Sequence, residues 1–478
     1  MSPTTPPASI RAGLRWIAPL IAIAGVALYD WMSWCAFPGI AWNEVRLAPT
    51  FALRHGWTFY APLGGGPLST WIYGPVVAIL NLPATWAHSA AGALQIAGAI
   101  NLLLLAGPLA IIFFSAPELR RHGWAGPTLA FALGGLLLPY LSTTYLMCDH
   151  AATALGVLSC WCLCRSAAPS PAQTALAATL CVGAFWTKQI EAFLVPAEAA
   201  FLLSIGARGA CARFLAWVTL LGGITLAFAI AAFGADNLWL NLVSIPSRLP
   251  WGAVSGKIAL ALPDLATSFT TFLLPWALLL VLRFRGTVPA ADTTAGRFLR
   301  CATFAALATL PAGCMALCKI GGAPNSLHAG PYLYPALLLA WLAPRPPELT
   351  RALIAVGLAL ALHTPEFASL PSRPVTQHLV VAEQLARARP GQLWFPLNPL
   401  VTVYADGKLY HVEDGLVTRF LAGYGVRERD FRRDLPAQLS AVVYPIEMRD
   451  RFSMQLLPEF NATTDFGQWS LHQKKPIH

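Results

Sequence analysis

Long apolar segments, separated by short polar hinges, run through the first three quarters of the chain. About 20 apolar residues are needed for a helix to cross the hydrocarbon core of a bilayer, and most of these segments approach that length. One pair, 171–187 and 190–207, also fits a hairpin that does not cross completely. The pattern predicts about eleven transmembrane helices, with approximate limits 14–36, 89–115, 124–146, 148–165, 171–187, 190–207, 212–233, 262–283, 299–318, 329–343 and 352–366.

The loop between the first two predicted spans, residues 37–88, is long and partly apolar. Its second half, WIYGPVVAILNLPATWAH (Trp71–His88), resembles a span, but Pro75 and Pro83 interrupt its core. Counting it as a crossing would also place the Arg pair of the next hinge on the outer side. We therefore predict that this stretch is a helix lying in the outer interface, partner to another helix in the first half of the loop.

The tail, residues 367–478, differs in composition, because acidic and basic residues are mixed in it as on a soluble surface. QHLVVAEQLARAR has the spacing of an amphipathic helix. Four short runs separated by Pro, Gly and Asp predict strands: QLWFP, VTVYAD, KLYHV and AVVYPI. The predicted architecture is an all-α polytopic membrane bundle over residues 1–366, followed by a small C-terminal α/β soluble domain over residues 367–478.

Composition supports a membrane protein, since 56% of the residues are hydrophobic and only 11% are charged, whereas soluble domains are charged at roughly 25% of positions. The net charge of +10 comes from residues spread over the hinges, so a nucleic-acid partner is not expected. The hinges of one side hold about twice as many Lys and Arg residues as the loops of the other. This predicts a cytoplasmic N-terminus and, with a composition typical of bacteria, a periplasmic C-terminal domain on an inner-membrane protein.

Ionisable residues gather at the outer ends of the apolar segments. Such a residue costs at least about 2.5 kcal/mol near the bilayer centre, so it tends to face a cavity or a partner. A carboxylate can act as a general base, while separated Lys and Arg residues neutralise a phosphate. The mixture predicts an outward cavity for a phosphate-bearing lipid, with these candidate residues: Glu44, Arg46, Asp149, Lys188, Arg248, Lys319 and His328.

Each candidate also has a purely structural interpretation. Glu44 can be a charge on a solvated loop helix, and Arg46 can contact lipid headgroups. Asp149 can cap the helix that follows it. The other basic residues and His328 can be ordinary residues of the membrane interface.

Short motifs carry a resemblance to a known family. NEVRLAPTFALRHGWTFY begins the first outer loop, WIYGPVVAILNLPATW continues it, and the next span ends in LRRHG. This order is similar to the GT-C superfamily of membrane glycosyltransferases, which includes protein O-mannosyltransferases and the aminoarabinose transferases of lipid A. Glu44 matches the acidic position of that family, Tyr73-Gly74-Pro75 its second motif, and FWTKQ, which contains Lys188, its Thr-Lys turn. The chain departs from the family at Gly74, where many members have proline, and at a single Glu where some have Asp-Glu.

The resemblance implies inverting transfer of a sugar from a polyprenyl-phosphate donor to a glycan, lipid or protein acceptor at the outer membrane face. Glu44 is expected to deprotonate the acceptor hydroxyl, and basic residues to stabilise the departing phosphate. No cofactor is required; some members use a divalent metal, for which the sequence has no ligand spacing. The residues expected to bind substrate are Arg46, Tyr73, Asp149, Lys188, Arg248, Lys319 and His328.

A transporter or flippase for a lipid-linked or sugar cargo is the alternative. Such proteins are often built from internal repeats, with broken helices meeting at the membrane midplane. The sequence has no internal repeat, and its polar residues crowd one surface. The enzyme is therefore the favoured prediction.

Overall fold

A computed structural model describes residues 20, 24–25, 27–69, 71–122, 144–251, 273–322, 324–345, 371–448 and 452–474. Its apolar part contains the helices α1 (Ala41–His55), α2 (Val76–Leu80), α3 (Ala90–Ser115), α4 (Cys148–Cys164), α5 (Pro171–Phe185), α6 (Leu194–Ser204), α7 (Arg208–Phe233), α8 (Ala235–Trp239), α9 (Ile245–Arg248), α10 (Leu274–Phe284), α11 (Thr294–Cys318) and α12 (Ala329–Leu342). The C-terminal part contains α13 (Gln377–Ala388), β1 (Leu393–Trp394), α14 (Pro399–Asp406), α15 (Glu413–Leu421), α16 (Glu428–Arg433), β2 (Ala441–Pro445), α17 (Ser453–Leu456), β3 (Ala462–Phe466) and β4 (Trp469–Gln473).

Within the described residues, three helices, α3, α7 and α11, are long and apolar enough to cross a membrane. Four shorter apolar helices, α4, α5, α10 and α12, accompany them. The number of eleven spans stays a prediction, because 352–366 and nearly all of 124–146 lie outside the described residues. The two segments that also fit a hairpin, 171–187 and 190–207, contain short helices: α5 has 15 residues and α6 has 11. These lengths correspond to about 22 and 16 Å of helix.

The interior of the bundle is built by α4, α5, α11 and α12. Small residues allow these helices to approach one another closely, as in other membrane bundles. Gly156 of α4 is one such position, since a Cβ there would lie 2.0 Å from the hydroxyl oxygen of Tyr332 on α12. Trp161 packs edge-on against Phe298 of α11, with ring centroids 5.2 Å apart.

The first loop differs from its prediction in its second half. The first interfacial helix is present as α1, but Trp71–His88 is not one helix: it contains α2, five residues long, and the 3₁₀ helix Leu82–Trp86. Pro83 ends the regular helix, as proline does when it removes a backbone donor. Trp71 and Val77 are buried against protein, so this stretch is packed on the bundle instead of lying wholly in lipid.

The C-terminal part is an α/β unit around one small sheet with the strand order β1-β2-β4-β3. β1 and β2 are parallel, while β4 is antiparallel to both of its neighbours. The helix predicted from QHLVVAEQLARAR is confirmed as α13, and the strands predicted from QLWFP and AVVYPI are confirmed as β1 and β2. The hairpin of β3 and β4 had not been predicted.

Two predicted strands were wrong. VTVYAD lies in α14, which begins at Pro399 and ends before Gly407 with its φ of 66°. Proline at the first helical position and glycine just past the end are helix signals that outweigh the apolar alternation. KLYHV forms no strand; within it, the backbone N–H of Val412 donates to the carbonyl of Leu68 in the first loop at 2.9 Å.

The first loop and the C-terminal part share one hydrophobic core. Val45 and Phe51 of α1 belong to the same buried cluster as Trp394, Leu400 and Val412 of the C-terminal part. The described residues beyond 370 are therefore docked on the loop over a continuous apolar interface.

Gly415 tests this docking, because its Cα lies against the loop backbone. A Cβ at this position would meet the carbonyl oxygen of Leu68 at 2.5 Å, whereas a Cβ at Gly425 of the same domain meets nothing within 4 Å. We expect Gly415→Ala to lower stability by about 1–3 kcal/mol through overpacking. Thermal unfolding in detergent measures this, with Gly425→Ala as the matched control; equal unfolding temperatures for both variants would contradict the shared interface.

Candidate functional site

Four charged residues are buried together where α4, α12 and the turn after α5 meet. Lys188 Nζ donates to Asp149 Oδ1 at 2.5 Å, and His328 Nε2 lies 2.8 Å from the same oxygen. The other ring nitrogen of His328, Nδ1, lies 2.5 Å from Glu191 Oε1. We call Asp149, Lys188, Glu191 and His328 the buried quartet; each is at most 7% exposed.

The quartet is balanced in charge. Both ring nitrogens of His328 face carboxylate oxygens, and only the imidazolium form has two N–H groups to donate. Lys188 and His328 then carry two positive charges opposite the two carboxylates. Burial acts to lower the pKa of His328 and of Lys188, but the carboxylates outweigh it and raise both pKa values.

Polar neighbours complete the hydrogen bonds of the two carboxylates. Asn325 Nδ2 donates to Asp149 Oδ2 at 2.8 Å, and the Tyr332 hydroxyl donates to Glu191 Oε2 at 2.7 Å. Ser326 Oγ lies 3.4 Å from Lys188 Nζ. Buried ionic groups are stable only when their remaining lone pairs are satisfied in this way.

Helix ends bring the quartet together. Asp149 lies in the first turn of α4, where a carboxylate is favoured by the helix dipole. Lys188 and Glu191 lie at the 3₁₀ helix Gln189–Phe193, and His328 immediately precedes α12. All four therefore lie at the same end of the apolar helices.

The backbone leading into α4 is fixed by asparagine side chains. Asn43 of α1 accepts from the N–H of Leu146 at 2.7 Å and donates to the carbonyl of Thr144 at 2.8 Å. Asn101 of α3 donates to the carbonyl of Tyr145 at 3.1 Å. These bonds set the position of Asp149 from two other helices.

Part of the first loop lies over the quartet. Gln189 Nε2 donates to the carbonyl of Ile72, and a Cβ at Gly74 would meet the carbonyl oxygen of Trp186 at 1.8 Å. Glycine is therefore required at this position. The Tyr73 ring lies 5.7 Å from the Arg46 guanidinium. Burial raises the pKa of Tyr73, and the nearby positive charges of Arg46 and Lys188 act against that effect.

Five of the predicted site residues are thus brought together, namely Arg46, Tyr73, Asp149, Lys188 and His328. Glu191 and Tyr332 are neighbours that the sequence analysis missed, while Asn325 lies in the same polar segment as His328. The sequence could have indicated Glu191 as a site residue, because Glu191 follows Lys188 by three residues in the same turn. Nothing in the sequence indicated Tyr332, since its approach depends on Gly156 of a helix distant in the sequence.

Glu44 does not face the cavity predicted for it. It is fully buried, and its carboxylate accepts from Asn398 Nδ2 at 2.6 Å and from the N–H of Leu400 at 3.1 Å, at the start of α14. Residues two apart on a helix point in directions about 200° apart. Arg46 therefore lies beside Tyr73 while Glu44 faces Asn398 and Leu400, so the structure does not bring these two side chains into one cavity.

Burial also changes the protonation of Glu44. It raises the pKa of Glu44 to about 8, although the hydrogen bonds from Asn398 and Leu400 act to lower it. Glu44 is therefore largely neutral at pH 7 in this arrangement, a state that cannot accept a proton.

Arg248 and Lys319 have other partners. The Arg248 guanidinium lies 4.7 Å from the ring centroid of Tyr424 in the C-terminal part. Lys319 Nζ donates to the carbonyl of Pro246 at 2.5 Å and lies 5.6 Å from the Trp251 ring. Their role on a donor phosphate stays a prediction.

A divalent metal has no evident ligand group in the described part of the chain, where no three His, Cys, Asp or Glu side chains are arranged to hold one. In the quartet, the facing atoms of Asp149, Glu191 and His328 bond to one another.

Lys188→Met tests the balance of charge. It leaves two carboxylates with one imidazolium, so we expect a loss of about 3–5 kcal/mol of stability. The double variant Lys188→Met/Asp149→Asn removes one charge of each sign and should recover most of that loss. Thermal unfolding in detergent is the measurement, and exposed Arg432→Met, expected to cost about 1 kcal/mol or less, is the control. A double variant less stable than Lys188→Met alone would disprove the balance.

The raised pKa of Glu44 predicts a pH dependence. Between its unfolded value of 4.5 and about 8, the folded state holds a proton that the unfolded state releases. Stability therefore falls as the pH rises through this window, by about 2–3 kcal/mol between pH 6 and pH 9. Glu44→Gln should lack this component. His328 titrates in the same direction, so the difference between wild type and Glu44→Gln is the quantity to measure; identical pH profiles would refute the assignment.

No family model matches this chain, and neither a curated protein nor a solved structure matches it. The resemblance to GT-C glycosyltransferases therefore depends on its short motifs alone. What the protein does must be argued from the chemistry of the buried quartet and its surroundings.

Proposed function

We propose that the protein is a membrane glycosyltransferase that transfers a sugar, with inversion, from a polyprenyl-phosphate donor to an acceptor hydroxyl. The observation that carries the proposal is the buried quartet at the ends of apolar helices, with Arg46 and Tyr73 beside it. We place this site on the periplasmic face of a bacterial inner membrane, with the N-terminus in the cytoplasm. The acceptor is a glycan, a lipid or a protein.

The positive charges suit a lipid-linked phosphate. Lys188 is nearly buried, and Arg46 is half-buried between the quartet and the loop. When a donor phosphate approaches, Lys188 can exchange its Asp149 partner for a phosphate oxygen, and Arg46 can neutralise the added charge. Fixed positive groups in a low-dielectric site stabilise the leaving phosphate as the bond to the sugar breaks.

Asp149 is the better candidate for the general base. Once Lys188 bonds to phosphate, the lone pair of Asp149 Oδ1 that Lys188 occupied becomes available to the proton of the acceptor hydroxyl. The acceptor oxygen forms its bond to the anomeric carbon, the bond from that carbon to the phosphate oxygen breaks, and polyprenyl phosphate leaves. His328 and Asn325 orient the carboxylate from the remaining sides. Glu44 instead holds the C-terminal part in place.

A narrow apolar groove lies beside the quartet, at the position proposed for the lipid tail of the donor. It lies between α3, α4 and α12 and is lined by Leu105, Pro108, Val157 and Pro331, with His150 next to the quartet residue Asp149. A prenyl chain lying along this groove would have its phosphate near the ends of the helices. A divalent metal is a possible addition at the phosphate, for which no ligand is assigned.

A transporter is the second candidate, because buried networks of Asp, Glu, His and Lys also act as proton relays in membranes. Its network would have to open to both sides of the membrane in turn. Uptake of the cargo into proteoliposomes, without a covalent product, is the result that would favour it.

Transfer from a panel of radiolabelled polyprenyl-phosphate sugars, in membranes containing the overexpressed chain, tests the proposal. We expect the wild type to transfer the sugar. Asp149→Asn lacks the proposed base, and the charge-balanced Lys188→Met/Asp149→Asn lacks both the base and the proposed phosphate ligand, so each should lose transfer by about 100-fold or more. Exposed Lys408→Met is the matched control and should be unchanged.

Glu44→Gln separates the two assignments of the base. If Asp149 is the base, Glu44→Gln should keep transfer within about tenfold of wild type, because it changes only the docking contact. Loss of transfer in folded Glu44→Gln, with activity retained in Asp149→Asn, would return the role of base to Glu44. If no donor of the panel gives a product, the proposed glycosyltransferase function is refuted.

A further inference from the structure

A second candidate site lies between the first loop and the C-terminal part. It is a cavity of about 410 Å³, within the range of about 300–1,000 Å³ typical of small-molecule sites. Its walls come from the start of α1, from the segment that leads into α13, and from the turns at the ends of β2 and β3. It is distinct from the groove beside the quartet, with which it shares no lining residue.

The chemistry of its walls selects against anions. Among the described lining residues none is Lys or Arg, and the one charged side chain is that of Glu447. Amides of Asn398 and Gln468 and the imidazole of His378 add donors and acceptors, while Val375 supplies apolar surface. An ionised carboxylate accepts hydrogen bonds only, and an amide both accepts and donates. Such a mixture is matched by a ligand with several hydroxyl groups.

One buried acceptor in this wall lacks a partner. Asn398 is 1% exposed, and its Oδ1 has no hydrogen-bond partner in the described structure. An unsatisfied buried oxygen costs roughly 1–3 kcal/mol, and a small rotation of the amide toward a ligand hydroxyl would satisfy it. Glu447 and Gln468 are exposed at the rim, where they can bond to a ligand without rearrangement.

The cavity lies on the Ala41 and Glu44 side of α1. Ala41 lines the cavity, and Glu44, three residues further, lies on the same side of the helix. Arg46, two residues beyond Glu44, points away from this side and lies beside Tyr73. A helix is about 10 Å thick, so a ligand in this cavity does not reach the quartet.

We propose that this cavity binds an uncharged carbohydrate of one or two sugar rings, as a recognition site separate from the quartet. The hydroxyls of the sugar bond to Glu447, Gln468 and Asn398. Because Asn398 also bonds to Glu44, the bound sugar holds together the loop and the C-terminal part. This binding is independent of whether the quartet transfers sugars.

Saturation-transfer NMR with the full-length protein in detergent tests the proposal without any transfer reaction. The probes are methyl α-mannopyranoside and maltose, compared with glucuronic acid and glucose 1-phosphate. We expect the neutral sugars to bind about tenfold more tightly than the anions, because Glu447 repels negative charge. Saturation of all four probes to the same degree, or of the anions alone, would overturn the proposal.

Two rim variants locate the binding in this cavity. Glu447→Gln should remove the preference against anions, and Gln468→Ala should weaken the neutral sugars several-fold. Glu428→Gln, at an exposed glutamate away from the cavity, is the matched control and should change neither. Both variants alter exposed side chains, so folding should be retained. Neutral-sugar binding that is unchanged in both rim variants would place the sugar elsewhere and disprove the site.

Discussion

The structure depends on the neutralisation of charges that are buried at the ends of apolar helices. A lone carboxylate or ammonium group is expensive in such surroundings, and a pair is stable only when its other hydrogen bonds are satisfied. His328 supplies a hydrogen-bond partner to two carboxylates at once, since one ring nitrogen faces Asp149 and the other faces Glu191. The requirement fixes the ends of α4 and α12 relative to the turn after α5, and it concentrates reactive groups at that one level.

The helix α1 separates two chemical environments. Its Arg46 side faces Tyr73, which lies near Lys188 and Asp149 of the quartet. Its Glu44 side faces the C-terminal part and the cavity beside Asn398, where no Lys or Arg is found among the described lining residues. A ligand bound on either side is therefore recognised by a different chemistry, although the two sites are one helix apart.

Two carboxylates join the C-terminal part to the rest of the chain in opposite directions. Glu44 of α1 accepts from the N–H of Leu400 at the start of α14, and Glu383 of α13 accepts from the N–H of Ala90 at the start of α3, at 2.5 Å. Helix N-termini carry partial positive charge and unsatisfied N–H groups, so each carboxylate satisfies a helix of the other part. Together with the shared apolar core, these contacts keep the C-terminal part docked on the loop that lies over the quartet.

The sequence by itself determined the apolar helices, the position of charged residues at their ends, and local elements with clear periodicity such as α13. It did not determine which charges meet, because Asp149, Lys188 and His328 are far apart in the chain and are brought together only by helix packing. Tyr332 reaches Glu191 through the space left by Gly156, which no local pattern reveals. The opposite directions of Glu44 and Arg46 follow from helical geometry, but their different partners were decided by the tertiary structure, since only docking of the C-terminal part places a helix N-terminus against Glu44.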